Sequence, residues 1–352
     1  QGLGGDDIIQ ISGTNDARDI IDGGSGSDTI KVLGTKAVTL NGFHTVTSSI
    51  EKWDGNGKGV VGSAAADTFD FSNLDVVTNM GIVDAGDGND TITGSDFADV
   101  LRGSRGNDTL NGGAGNDTLA GGAGIDTLNG GDGDDTFLLS GTSDADDIIN
   151  GGSGTDKIQV TASVTLNSFN ATASSIEQWA GTGKGIKGNN GDNVFDFQGL
   201  TTITNMGIVD AGSGNDTLTG SSFADNLRGG AGNDTISGGQ GADTLMCSWA
   251  AGNDTLNGGE GNDVLTGGSG IDILNGGDGD DTFLLSGNID TNDVINGGSG
   301  TDKVQVTATV TLNGFNATTS SIEQWAGTGK GIMGSVGDDV FDFQGLTTIT
   351  NM

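Results

Sequence analysis

The sequence predicts an all-β solenoid of short, parallel, stacked strands. Three observations predict it: a nine-residue repeat of glycine and aspartate, an apolar residue held in phase with that repeat, and a longer repeat of whole segments.

Composition narrows the field first. Of 352 residues 69 are Gly, none is Pro, 48 are acidic and 13 basic, for a net charge of −35. Such an acidic surface repels phosphate, so a nucleic-acid partner is not expected. Collagen needs proline and a three-residue period, and neither is present. Cys247 has no second cysteine to pair with, so there is no disulfide framework. No apolar run reaches 18 residues, so this segment is not expected to insert in a membrane. Only 32% of the chain is hydrophobic. Low hydrophobicity with high net charge is also the signature of disorder, so the chain needs a source of stability beyond an apolar core.

The nine-residue elements come next. Asp90, Asp99, Asp108, Asp117, Asp126 and Asp135 follow one another at intervals of nine. A clean copy reads Gly113-Ala114-Gly115-Asn116-Asp117-Thr118-Leu119. Two residues after each of these aspartates stands Ile92, Leu101, Leu110, Leu119, Leu128 or Phe137. A second run holds Asp216, Asp225, Asp234 and Asp243, then Asp254, Asp263, Asp272 and Asp281; isolated copies are read at Asp6, Asp28, Asp156 and Asp302. The glycines make six residues a turn, and the other three form a strand with its middle side chain inward. Two turns and two strands make an 18-residue coil, so Asp90, Asp108 and Asp126 stack in one column and Asp99, Asp117 and Asp135 in the opposite one.

Carboxylates stacked at about the 4.8 Å strand spacing repel, so a cation is expected between them. Hard oxygen donors in a carbonyl-rich turn suit Ca²⁺. One Ca²⁺ for each of these eighteen aspartates would supply roughly +36 against the chain's own charge.

These motifs resemble the RTX, or repeats-in-toxin, family of glycine-rich nonapeptides. The resemblance implies a right-handed parallel β-roll with multiple Ca²⁺ ions, held by the motif aspartates and turn carbonyls. Fourteen of the eighteen carry both glycines of Gly-x-Gly-x-Asp; Asp99, Asp108, Asp225 and Asp254 lack one or both. It also implies export by a type I secretion machine, folding outside the cell, and a place at the bacterial surface or beyond. An EF-hand is excluded, because no twelve-residue loop ends in the required Glu.

Between the nonapeptide runs lie segments that repeat among themselves. Ser49-Ile50-Glu51-Lys52-Trp53 returns as Ser175-Ile176-Glu177-Gln178-Trp179 and as Ser321-Ile322-Glu323-Gln324-Trp325, at offsets of 126 and 146. The first is seven coils of 18; the second adds a coil and two residues, which enter in Met246-Cys247-Ser248-Trp249-Ala250-Ala251. The segments therefore read as continuing one roll over 1–352, in units of about 1–80, 81–206 and 207–352. A small separate domain interrupting the roll is the alternative. The chain begins within a repeat and ends mid-unit, as expected of a piece of a longer protein. At 18 residues per coil it would make about twenty coils, a rod on the order of 90–100 Å.

No catalytic residue is assigned. A His-Glu-x-x-His site needs two histidines, and His44 is the only one. Gly181-Thr182-Gly183-Lys184-Gly185 lacks phosphate-loop spacing and reads as a turn. Asn-Asp-Thr triplets read as the repeat turn rather than glycan acceptors, and Cys247 as a packed thiol. The recurring Trp53, Trp179 and Trp325 are core residues or a glycan- or partner-binding face.

The function these observations favour is a calcium-dependent extracellular structural or adhesive rod: part of a surface fibril, surface layer or large adhesin, able to self-associate. The alternative is the calcium-folding repeat region of a secreted enzyme or toxin whose catalytic domain lies elsewhere.

Overall fold

The computed structural model describes residues 2, 4–13, 20–141, 144–247, 252–286, 292–312, 314–329, 332–334 and 339–351. The fold is an all-β solenoid of parallel strands; among the described residues its helix is the single turn Thr45–Ser48. Two compact units are distinguished, residues 1–165 with 173–182, and residues 166–172 with 183–352.

In the first unit the nonapeptide run follows the expected 18-residue coil. Thr109–Ala114 pairs in parallel with Thr127–Asp132, Leu110 beside Leu128. Val100–Arg105 pairs likewise with Thr118–Ala123, Leu101 beside Leu119. These strands span six residues where the repeat predicts three. The ladder runs on into the glycines, with Gly113 paired to Gly131. Gly113 does so at a φ of +110°, a conformation that glycine adopts readily. The inward residues Ile92, Leu101, Leu110, Leu119, Leu128 and Phe137 are all fully buried. One apolar side chain per nine residues is thus removed from water, and each packs on its copy one coil away.

The tryptophan segments depart from the 18-residue coil. Coils there can carry three short strands rather than two, such as Thr29–Val32, Val38–Thr39 and Phe43–His44, and in the Trp53 coil the first two run together as the ten-residue strand Lys52–Val61. The next coil repeats them: Ile30 pairs with Trp53, Val38 with Val60 and Phe43 with Phe69. Trp53 and Trp179 are therefore separated by six strand-to-strand steps, averaging 21 residues, and not by seven of 18. The expectation of about twenty equal coils fails for the same reason.

The third strand widens the coil, and aromatic rings fill the added space. Trp53 lies edge-on to Phe43 and Phe71 at centroid distances of 5.6 and 5.7 Å. In the second unit Trp325 does the same with Phe315 and Phe343, at 5.2 and 6.1 Å. Trp53, Trp179 and Trp325 are each 1% exposed. The reading of these residues as a binding face is thereby overturned, because a buried ring cannot stack on a sugar.

The second unit repeats the two-strand coil, with Thr255–Glu260 beside Ile273–Asp278 and Leu256 on Leu274. One step is longer: Thr235 pairs with Thr255 and Thr244 with Val264, each 20 residues on. The two additional residues fall between Cys247 and Asp254, where residues 248–251 lie outside the described ones.

Candidate metal centres

The repeat aspartates form columns knitted by one recurring hydrogen bond. The backbone N–H of each donates to a carboxylate oxygen of its counterpart one coil further on, Oδ1 of an aspartate or Oε2 of a glutamate. In the first unit one column runs from Asp67 through Asp90, Asp108 and Asp126 to Asp147, at 2.7–2.9 Å per bond. The opposite column runs from Asp99 through Asp117, Asp135 and Asp156 to Glu177, each bond 2.8 Å. In the second unit Asn193 leads Asp216, Asp234, Asp254, Asp272 and Asp293. Asp225 leads Asp243, Asp263, Asp281, Asp302 and Glu323. A short column joins Asp7, Asp28 and Glu51.

Seventeen of the eighteen aspartates proposed from sequence are buried in these columns. The exception is Asp6, which is exposed. The strand register puts Asp7 opposite Asp28, because Thr29 N–H donates to Asp7 O at 2.9 Å. Asp6 instead accepts from Ser27 N–H, as Asn89 does from Asn107 N–H. The adjacent pair Asp6-Asp7 allowed two frames, and the strand Ile8–Ile11 selects the second.

Beside Asp7, six carboxylates of the columns lie outside the eighteen: Asp67, Asp147, Asp293, Glu51, Glu177 and Glu323. Asp147 and Asp293 follow no glycine turn and sit 21 residues beyond their partners, so the nine-residue spacing does not reach them. Glu51, Glu177 and Glu323 close columns from within the tryptophan segments. Their signal was present: Glu-x-Trp has the form of Asp-x-apolar, with a longer carboxylate and a larger inward residue.

The second oxygen of these carboxylates decides what the columns can do. Oδ2 of Asp28, Asp90, Asp108, Asp117, Asp126, Asp135 and Asp156 is buried and accepts no hydrogen bond. The same holds for Asp216, Asp234, Asp243, Asp263, Asp272, Asp281 and Asp302, and for Asp147. A buried carboxylate oxygen with no donor is costly unless a cation meets it. The space around it is shaped by glycine. A Cβ on Gly112 would collide with Asp117 Oδ2 and with the carbonyl of Gly130, so both oxygens face the same small gap. Gly121 bears the same relation to Asp126, and Gly130 to Asp135 and the carbonyl of Gly151. A carboxylate oxygen and a carbonyl oxygen converging over a bare α-carbon fit a hard cation such as Ca²⁺.

Asp99 and Asp225 differ. Ser95 donates to Asp99 Oδ2 through both its N–H and its hydroxyl, at 2.6 and 2.9 Å. Ser221 does the same for Asp225, at 2.7 and 2.9 Å. Serine thus supplies the donors that a cation would otherwise replace. Asp108 lacks a motif glycine too, yet its Oδ2 is open.

Burial raises carboxyls on both sides of this division, Asp99 and Asp225 included. Burial pushes the carboxyl of Asp117 up to about 7; the bond from Asp99 N–H pulls it back, and the charges of Asp99 and Asp135 push it further up. Burial likewise raises Asp147, Asp234 and Asp243 to about 7, and Asp108, Asp156 and Asp281 to about 6. Carboxylates this far above the usual range cannot all stay ionised together at neutral pH without a compensating positive charge.

One family model, the RTX calcium-binding nonapeptide repeat in four copies, matches residues 13–31, 84–119, 112–145, 120–158, 210–245, 250–288 and 289–305, more than half of the chain. The chain belongs to the RTX calcium-binding repeat family. The RTX repeats imply Ca²⁺ binding. The matched stretches contain most of the columns with open oxygens, while the tryptophan coils fall largely between them. No curated protein matches the chain.

Proposed function

We propose that the columns bearing open Oδ2 atoms are the calcium ligands of this chain. We propose further that it is a calcium-dependent, extracellular structural or adhesive segment, with no catalytic role of its own. The observation that carries this reading is the repeated open, buried carboxylate oxygen above a glycine gap. Bound Ca²⁺ supplies the positive charge that lets neighbouring carboxylates remain ionised together. The chain's own residues do the rest. Oδ1 of each aspartate ties its coil to the previous one, the turn carbonyl shares the gap, and the inward Leu or Ile seals the interior. Ordering nine residues for one buried apolar side chain is unfavourable by itself, so the fold depends on the ligand. That dependence suits a protein that crosses the cytosol unfolded and meets millimolar calcium outside.

In this reading the residues from 1 to 352 form one structural stretch, and Asp7 takes the place first given to Asp6. Asp99 and Asp225, held by serine, act as column ends rather than full ligands. The structural role is tested by light scattering and electron microscopy of the chain with and without millimolar Ca²⁺. Ordered assemblies that grow with Ca²⁺ and dissolve in chelator support it. A calcium-folded chain that stays monomeric, together with a catalytic or pore-forming domain in the same gene, would replace it with the repeat region of a secreted enzyme or toxin.

A further inference from the structure

One turn of the second unit is built from different donors. Cys247 follows the strand Thr244–Met246, and its N–H donates to Thr266 O at 2.9 Å. Met246 pairs with Thr266 and Arg228 with Met246, so Cys247 stands where Gly229 and Gly267 stand in the neighbouring coils. At both glycines a Cβ would collide with a carboxylate, that of Asp234 and that of Asp272. Cys247 places a Cβ and a sulfur in that gap. In sequence, Asp254 follows Cys247 by seven residues, where Asp234 follows Gly229 and Asp272 follows Gly267 by five.

The result is a mixed cluster. Ligand atoms of Asp234, Cys247 and Asp254 all lie within 4.8 Å of one another, and all three residues are buried. Asp254 bonds to Asp234 N–H through Oδ1 and to the Cys247 thiol. Asp234 is 1% exposed, and its Oδ2 has no partner. Sulfur is a poor ligand for Ca²⁺, which takes six to eight oxygens. One thiolate with two carboxylates is instead a donor set for a borderline cation of low coordination number.

We propose that Asp234, Cys247 and Asp254 form a site for a single thiophilic divalent cation of the Zn²⁺ or Cd²⁺ class, which takes Asp234 in place of Ca²⁺ at this one turn, set among turns made for Ca²⁺. Binding replaces the thiol proton, which leaves to solvent, so one proton is released per ion from Cys247. The donor set is read from this turn alone and does not rest on the surface role proposed above.

The test uses the whole chain in saturating Ca²⁺, with folding followed by circular dichroism, and Cd²⁺ alone as the added probe. Cd²⁺ also enters oxygen sites, so the readout is the ultraviolet thiolate-to-cadmium charge-transfer band. The expected result is a band that saturates at one equivalent, with protection of Cys247 from alkylation. Cys247→Gly restores the residue used in the neighbouring coils and should fold normally with no band. A calcium-folded wild-type chain that gives no band would overturn the proposal. So would alkylation of Cys247 at an unchanged rate in Cd²⁺. A chain that does not fold in Ca²⁺ would count against the calcium reading instead, and that outcome is visible before Cd²⁺ is added.

Discussion

The amide of Asp117 donates to Oδ1 of Asp135 at 2.8 Å, one coil further along, while Asp117 Oδ2 faces Gly112 and the carbonyl of Gly130 with no donor. The two oxygens of Asp117 are thus in different settings, as they are in the other repeat aspartates with an open Oδ2. One oxygen is tied into the stack by the neighbouring coil's amide, and the other is buried with no donor, which is the oxygen proposed to meet Ca²⁺.

The first prediction concerns pH without calcium. The folded-state values of Asp117, Asp147, Asp234 and Asp243 are raised to about 7, above an unfolded aspartate near 3.9. The folded state then binds more protons than the unfolded one. Its stability contribution is complete below about pH 4 and lost as pH rises through about 7. In chelator, β-structure measured by circular dichroism should increase from about pH 8 to about pH 5. A flat profile would show that the buried carboxylates are not what destabilises the metal-free fold. In the presence of calcium the dependence reverses, because protons compete with the cation and its apparent affinity falls with acidification.

Gly112 tests the gap itself. Gly112→Ala inserts a Cβ where Asp117 Oδ2 and Gly130 O converge, at a cost of about 1–3 kcal/mol by overpacking. The calcium midpoint of folding should move to higher concentration. Gly141→Ala is the control, since nothing lies within 4 Å of a Cβ there. Equal midpoints for the two variants would remove Gly112 from any ligand site.

Glu177 closes a column by accepting from Asp156 N–H at 2.8 Å. Glu177→Ala leaves that buried donor without its acceptor and should cost about 1–3 kcal/mol in denaturant unfolding. Glu177→Gln keeps an acceptor and should cost less. If both variants unfold like the parent, the glutamate is not a member of the column.

Much of this architecture was legible from the nine-residue spacing. Leu101, Leu119 and Phe137 stack as their interval of 18 required, and seventeen aspartates proved to be buried in columns. The frame at Asp6-Asp7 was not legible, because Gly2 and Gly4 fit the motif to Asp6 and only strand pairing selects Asp7. The third strand of the tryptophan coils was missed for a related reason. An offset of 126 is divisible by 18, so arithmetic on that offset could not reveal coils averaging 21 residues. The role of Ser95 and Ser221 was hidden as well, since a serine four residues before an aspartate does not announce which carboxylate oxygen it meets.

Trp179 tests the interior of the wider coils. The ring is 1% exposed, so Trp179→Ala should cost about 3–5 kcal/mol through the cavity it leaves. Thermal unfolding in saturating calcium measures it. A variant as stable as the parent would mean that the ring is not a core residue.

The central claim is that calcium folds this chain, and a far-UV circular dichroism titration with Ca²⁺ near neutral pH tests it most directly. The account predicts a coil-like spectrum in chelator and a cooperative change to β-structure between about 10⁻⁴ and 10⁻³ M Ca²⁺. A chain already fully β-structured in chelator at that pH, and unchanged by calcium, would contradict it.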